Sequence, residues 1–292
     1  MGLTLGRTVP PESGYRIADY VANWISNRRQ AGMVQAMRAN QWVAHHKNIA
    51  PEQLDSLVQE AFRKTGRGIY NYYHFFDKPE VLQRSVHYSD RVEEYIRNSQ
   101  EGNTGLLIVS VHTACFDIVL NAGVRRGFNA VMLGLPSYEG GFKWQNAIRQ
   151  ETGVNTLTAS KSNFRVAIEH LKSGGTVVTG IDRPVPGLRY QPCFFGELAA
   201  LPVFHVQLAL KAQVPVAVLA ALEKDDGEYH VLGTEPIPLQ TYEDRRTEIL
   251  ANANEILRYA ERYIEIDPTQ WAIYYPVWPG SMEELRKMEE NR

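Results

Sequence analysis

His112 stands directly after a six-residue apolar run, Leu106–Val111, and Asp117 follows it by five residues. An imidazole can take a proton from a hydroxyl near neutral pH. A carboxylate on its other ring nitrogen fixes the tautomer that leaves the reacting nitrogen bare. Five residues is a poor interval for one helical face, but it suits a strand-to-helix turn that folds a carboxylate back onto an imidazole. Two readings fit these residues. One is a His112–Asp117 dyad with His112 as general base. The other is a lone His before an Asp that merely favours the first turn of a helix. Asp182 and Arg183 follow a second apolar run, Thr176–Thr179, and reach the same edge if the two runs are parallel strands. They would pair with each other, or bind a phosphate or sugar through the guanidinium fork.

The elements that must position these residues change character along the chain. The first hundred residues read as helices, and none of them alternates as a strand would. In the stretch opened by Pro51-Glu52, residues Leu54, Leu57, Val58, Ala61 and Phe62 share one helical face. Lys78-Pro79-Glu80 opens another helix that Gly102 ends. From Thr104 onward, short apolar runs suited to buried strands appear at Leu106–Val111, Ala130–Leu133, Thr176–Thr179 and Val214–Leu222. They alternate with helical segments at 115–126, 141–151, 161–173, 201–212 and 243–264. Asp226-Gly227 reads as a hairpin turn into Glu228–Leu232. The pattern predicts an α/β fold: a mostly parallel central sheet flanked by helices, with a helical N-terminal section packed on it.

Several familiar sites are absent. There is no Gly-x-Gly-x-x-Gly, no phosphate loop ending in Gly-Lys-Ser/Thr, no His-Glu-x-x-His and no Gly-x-Ser-x-Gly. The two Cys lie 78 positions apart, with no zinc spacing, so no metal is expected. Cys115 reads as a buried small hydrophobe rather than a nucleophile. His205 lies in an apolar stretch and reads as a core residue, and Trp271 and Trp278 as packing.

His-x-x-x-x-Asp after a buried strand resembles the signature of the glycerolipid and lysophospholipid acyltransferases. The resemblance is sharpest to the bacterial lipid A biosynthesis acyltransferase branch. It is carried by QAMRANQWVAHH, a following helix with Arg63, Arg67 and YNYYHFF, and Ile148-Arg149 before Thr152-Gly153-Val154. HLKSGGTVVTGIDRP comes next, then PCFFGELAALPVFHVQLALKAQVPVAV and DPTQWAIYYPVW, in order over residues 35–278. The resemblance implies one acyltransferase domain over residues 1–292, a helical cap (1–100) on an α/β catalytic core (101–292). It implies an O-acyltransferase of the HX4D type, with an acyl thioester as co-substrate and no other cofactor. The donor would be acyl-CoA or acyl carrier protein, and the acceptor a hydroxyl of a membrane lipid or glycolipid. His112 would be the base and Asp117 its orienting carboxylate, with Arg149 near the acceptor or the developing charge. Phe194, Phe195, Gly196 and Glu197 would line an acyl tunnel with Glu197 at its mouth, or form apolar core ending in a turn. A thioesterase or other hydrolase using the same dyad, a metal site built from His112, Asp117 and Asp182, and a non-catalytic lipid-binding module are the alternatives.

Composition narrows the setting. Hydrophobic residues make up 44% and charged residues 22%, which is ordinary for a folded globular chain. A net charge of -2 gives no reason to expect nucleic acid. The longest runs free of Asp, Glu, Lys and Arg are 15 residues, against about 20 apolar residues for a bilayer span. Residues 1–50 carry six basic and two acidic residues, interleaved with aromatics such as Tyr15, Tyr20, Trp24 and Trp42. That section is expected either to pack on the domain as an amphipathic helix or to lie on an anionic membrane surface. With no signal peptide and few Cys, the expected location is cytoplasmic, peripheral on the inner face of the cell membrane.

Overall fold

The computed structural model describes residues 6–134, 149–185 and 187–290. The N-terminal section is built from α1 (Pro11–Ser26), α2 (Gly32–Ala44), α3 (Pro51–His74) and α4 (Pro79–Arg84). β1 (Val86–Tyr88) and α5 (Asp90–Glu101) follow, then β2 (Leu106–Ser110), α6 (Phe116–Arg125) and β3 (Ala130–Gly134). After them come β4 (Asn155–Thr158), α7 (Lys161–Lys172), β5 (Thr176–Gly180), and the short strands β6 (Cys193–Phe194) and β7 (Glu197–Leu198). The chain continues with α8 (Phe204–Ala212), β8 (Val216–Glu223), β9 (Tyr229–Gly233) and α9 (Arg245–Ile266). A 3-10 turn (Pro268–Gln270) and α10 (Pro279–Glu290) complete it.

Seven strands form one sheet in the order β1-β9-β8-β2-β5-β3-β4, parallel throughout except for the β8–β9 hairpin. The expected α/β class is therefore the observed one. β2 and β8 are near-continuous apolar runs because both of their faces are covered, as parallel central strands require. One face carries Leu107, Val109, Val177 and Val218 and packs under α2, α3, α7, α8 and α9. The other carries Ile108, Val178 and Leu219 and faces α5 and α6.

Two strands of this sheet carry no strand signal in the sequence. The segment opened by Pro79 is two helices, α4 and α5, with β1 between them. Three residues are too few to show a period, and β1 is a strand only because Val86–Tyr88 pairs with Tyr229–Val231. β4 escapes for the same reason: Asn155–Thr158 is half exposed and pairs only with β3. Most of the helix expected at 141–151 lies outside the described residues.

Candidate active site

β2 and β5 are neighbours in register, Ser110 opposite Gly180. His112 and Asp182 each lie two residues beyond that pair, at the carboxyl edge where ligands of open α/β sheets gather. Register alone thus brings together two side chains 70 residues apart. The Asp182 carboxylate has no solvent exposure and accepts three N–H groups. The His112 backbone N–H donates to Oδ2 at 2.7 Å, the His112 ring Nδ1–H to Oδ1 at 2.5 Å, and the Trp271 indole Nε1–H to Oδ2 at 2.8 Å. Burying a carboxylate is tolerable when its lone pairs are filled in this way. The network assigns the ring proton to Nδ1, so Nε2 carries the lone pair. The imidazole is about one-third exposed, which leaves Nε2 reachable.

The geometry corrects the expected pairing. Asp117, in the first turn of α6, accepts from Arg149 Nε at 2.7 Å, and its Oδ1 also lies 2.7 Å from an Arg149 terminal nitrogen. The carboxylate on the His112 ring is Asp182. The turn Thr113–Cys115 carries the chain into α6 with Asp117 directed to Arg149 instead of back to the imidazole. Asp182 likewise does not pair with Arg183, whose guanidinium lies over the Tyr275 ring, 5.1 Å from its centroid. Burial first, and Asp117 second, raise the Tyr73 phenol above its ordinary range, so it stays protonated beside the Asp117–Arg149 pair at neutral pH. Burial pushes the Cys115 thiol up to about 12, which leaves it inert as a nucleophile.

The His112 turn is clamped from three sides. A Cβ on Gly180 would meet His112 Cε1 at 2.3 Å, so the Cε1 edge of the ring abuts bare strand backbone. A Cβ on Gly68 would meet the Ala114 carbonyl at 2.3 Å, so α3 presses on the turn through a residue without a side chain. Opposite, the His112 carbonyl accepts from Ala272 N at 2.8 Å and the Ala114 N–H donates to Gln270 O at 2.8 Å. The strap that makes these contacts is held in turn by α2. Asn40, fully buried, donates to Ile273 O at 3.0 Å and Tyr275 O at 2.9 Å, and Gln41 donates to Pro268 O at 2.6 Å. The residues of QAMRANQWVAHH therefore position Trp271, and through it Asp182.

Phe194 and Phe195 pack against Trp271 and Trp278, with Phe194 stacked on Trp278 at 5.5 Å. They buttress the indole from the core. Gly196 continues the turn with φ at 76°, and Glu197 forms a surface ion pair with Lys47 at 2.8 Å. Phe194 and Phe195 lie on the sheet face of α8 and α9. An apolar cavity, partly open to solvent, is on the opposite face. Val92 and Tyr95 of α5, Leu120 and Gly123 of α6, and Tyr88 of β1 line it. It reaches the His112 turn at Ser110 and Phe116, and the Phe116 ring centroid is 5.9 Å from that of His112. The sequence carries no signal for it, since its walls come from seven separate elements. Trp271 is a packing residue, as expected, and also a hydrogen-bond donor. The strand ends Ser110 and Gly180, once aligned, would have pointed to the His112–Asp182 pair.

A search of curated proteins finds no match to this chain. The family model for bacterial lipid A biosynthesis acyltransferases matches residues 1–279, nearly the whole chain. The chain belongs to the bacterial lipid A biosynthesis acyltransferase family and is an acyltransferase that acts on lipid.

Proposed function

We propose that the protein is an O-acyltransferase that moves a fatty acyl group from a thioester carrier, acyl-CoA or acyl carrier protein, to a hydroxyl of a membrane lipid or glycolipid. The observation that carries this reading is the His112–Asp182 pair, with Nε2 bare, beside an apolar cavity that suits a hydrocarbon chain. Nε2 takes the hydroxyl proton as the acceptor oxygen attacks the thioester carbonyl carbon. Asp182 holds the tautomer and stabilises the imidazolium. The N-terminus of α6 and the Arg149 side chain, kept in place by Asp117, meet the charge that develops on the carbonyl oxygen. Collapse breaks the C–S bond, the thiolate leaves with the proton held by His112, and an ester remains. Asp182 and Asp117 both spend lone pairs on N–H donors, which argues for this role rather than metal ligation.

The N-terminal section supports a membrane-surface setting. α1 packs on α3 through its small residues Gly14, Ala18 and Ala22. Its large apolar residues face outward: Ile17, Tyr20, Val21 and Trp24 are 44–73% exposed at i, i+3, i+4 and i+7. Arg16 is exposed beside them, and the Arg28 guanidinium lies over the Trp24 ring. No helix among the described residues is long and apolar enough to cross a membrane. α1 thus lies on an anionic lipid surface at the cytoplasmic face. Binding to anionic vesicles is expected to weaken with salt and to fall for Trp24→Glu. Salt-independent binding would refute it.

The deciding experiment offers labelled acyl-CoA and acyl carrier protein with a panel of lipid hydroxyl acceptors, and follows labelled lipid and free fatty acid together. Labelled lipid is the expected product. Free fatty acid alone, with any acceptor, would make the protein a hydrolase, and binding without turnover a lipid-binding module.

A further inference from the structure

At the sheet edge, away from the site above, β1 and β9 place His87 directly opposite His230, with ring centroids 5.1 Å apart. Glu228 precedes His230 by two residues and so projects from the same face of the strand. Its Oε2 lies 2.6 Å from His87 Nε2. One ligand atom from each of the three residues lies within 4.8 Å of the other two. Two imidazoles and a carboxylate converging from two paired backbones form a ligand set suited to a first-row transition ion such as zinc. Magnesium or calcium would call for an all-oxygen shell.

We infer that His87, Glu228 and His230 bind a divalent transition-metal ion of the zinc class, across the β1–β9 pair. The ion replaces the direct His87–Glu228 contact, and ligation at about 2.1 Å draws the three side chains together. Both His87 and Glu228 are nearly half exposed, so they can turn toward one centre without moving the strands. The alternate residues of the same strands, Tyr88 and Val231, point the other way and line the apolar cavity. A metal bridge would therefore fasten the edge strand that walls that cavity. β1 is only three residues long and needs such a fastening more than any central strand.

The test is calorimetric titration of Zn2+ alone into the metal-free full chain, with His87→Ala, His230→Ala and the double variant beside it. Far-UV circular dichroism serves as the fold control. The expected result is one ion per chain, with affinity lowered about ten-fold or more by either substitution. Added Zn2+ should also slow amide exchange at 86–88 in wild type and not in the double variant. No Zn2+ binding at about 100 µM, unchanged binding by the double variant, or one ion shared between two chains would each overturn the assignment. The outcome is independent of the acyl-transfer reading, because no residue of this cluster belongs to that site.

Discussion

Asp182→Asn is the most informative perturbation, because the native carboxylate faces three donors and no acceptor. An amide has one accepting oxygen. Placed at the Oδ2 position, that oxygen keeps the His112 backbone N–H and the Trp271 indole, and the NH2 then faces Nδ1. Nδ1 must lose its proton to accept, and the proton moves to Nε2. Flipped the other way, the NH2 would confront two N–H donors, each left buried at about 1–3 kcal/mol. The first orientation therefore wins, and it removes the lone pair needed to deprotonate the acceptor. An error of this kind costs about 10⁴-fold in rate where it has been made in His–Asp systems, or about 5 kcal/mol of barrier. The assay is single-turnover transfer from a labelled thioester donor, with fold checked by circular dichroism and thermal melting. Asp117→Asn, which loosens Arg149 but leaves the His112 tautomer alone, is expected to fall less. A folded Asp182→Asn enzyme near wild-type rate beside a dead Asp117→Asn enzyme would refute the assignment and restore Asp117 as the orienting group.

Three further outcomes follow from the geometry. Gly180→Ala drives a methyl to 2.3 Å from the imidazole, so kcat should drop about 100-fold or more while far-UV circular dichroism stays unchanged. Gly123→Leu fills the cavity between Tyr88 and Phe128 and should shift donor preference toward shorter acyl chains. Competition between donors would show it, at about ten-fold in kcat/KM for each methylene excluded. His205, fully buried in α8, is pushed down to about 4 by burial, which outweighs the opposing Pro202 carbonyl. The unfolded chain takes up that proton near pH 6.5 and the folded chain does not until about pH 4. Stability is therefore intact above pH 6.5 and falls by up to about 3 kcal/mol as pH drops toward 4. Denaturant midpoints at pH 7 and pH 4.5 measure the loss, and His205→Leu should flatten it.

The α/β class was legible because buried parallel strands announce themselves as apolar runs, and β2 and β5 are such runs to within a residue of their observed ends. His112 was legible for the same reason, since it stands at the end of one of them. Its partner was not. A five-residue interval points to Asp117, whereas Asp182 is aligned only by the register of β2 against β5, which is a tertiary fact. The indole that completes the site comes from a strap 89 residues beyond Asp182, and Asn40 of α2 holds that strap with bonds no local pattern records. In α1 the pattern misleads in a useful way. The large apolar residues suggest the core face, yet Gly14, Ala18 and Ala22 make the contact and the bulky stripe is left outside.

The central claim is that His112 removes the acceptor proton in acyl transfer. It is tested most directly by comparing wild type with folded His112→Ala in the thioester-to-lipid transfer reaction, measuring labelled lipid per turnover. Wild type should give product, and the variant should lose about 10⁴-fold or more in rate with donor binding retained. Transfer by His112→Ala at a rate within ten-fold of wild type would contradict it.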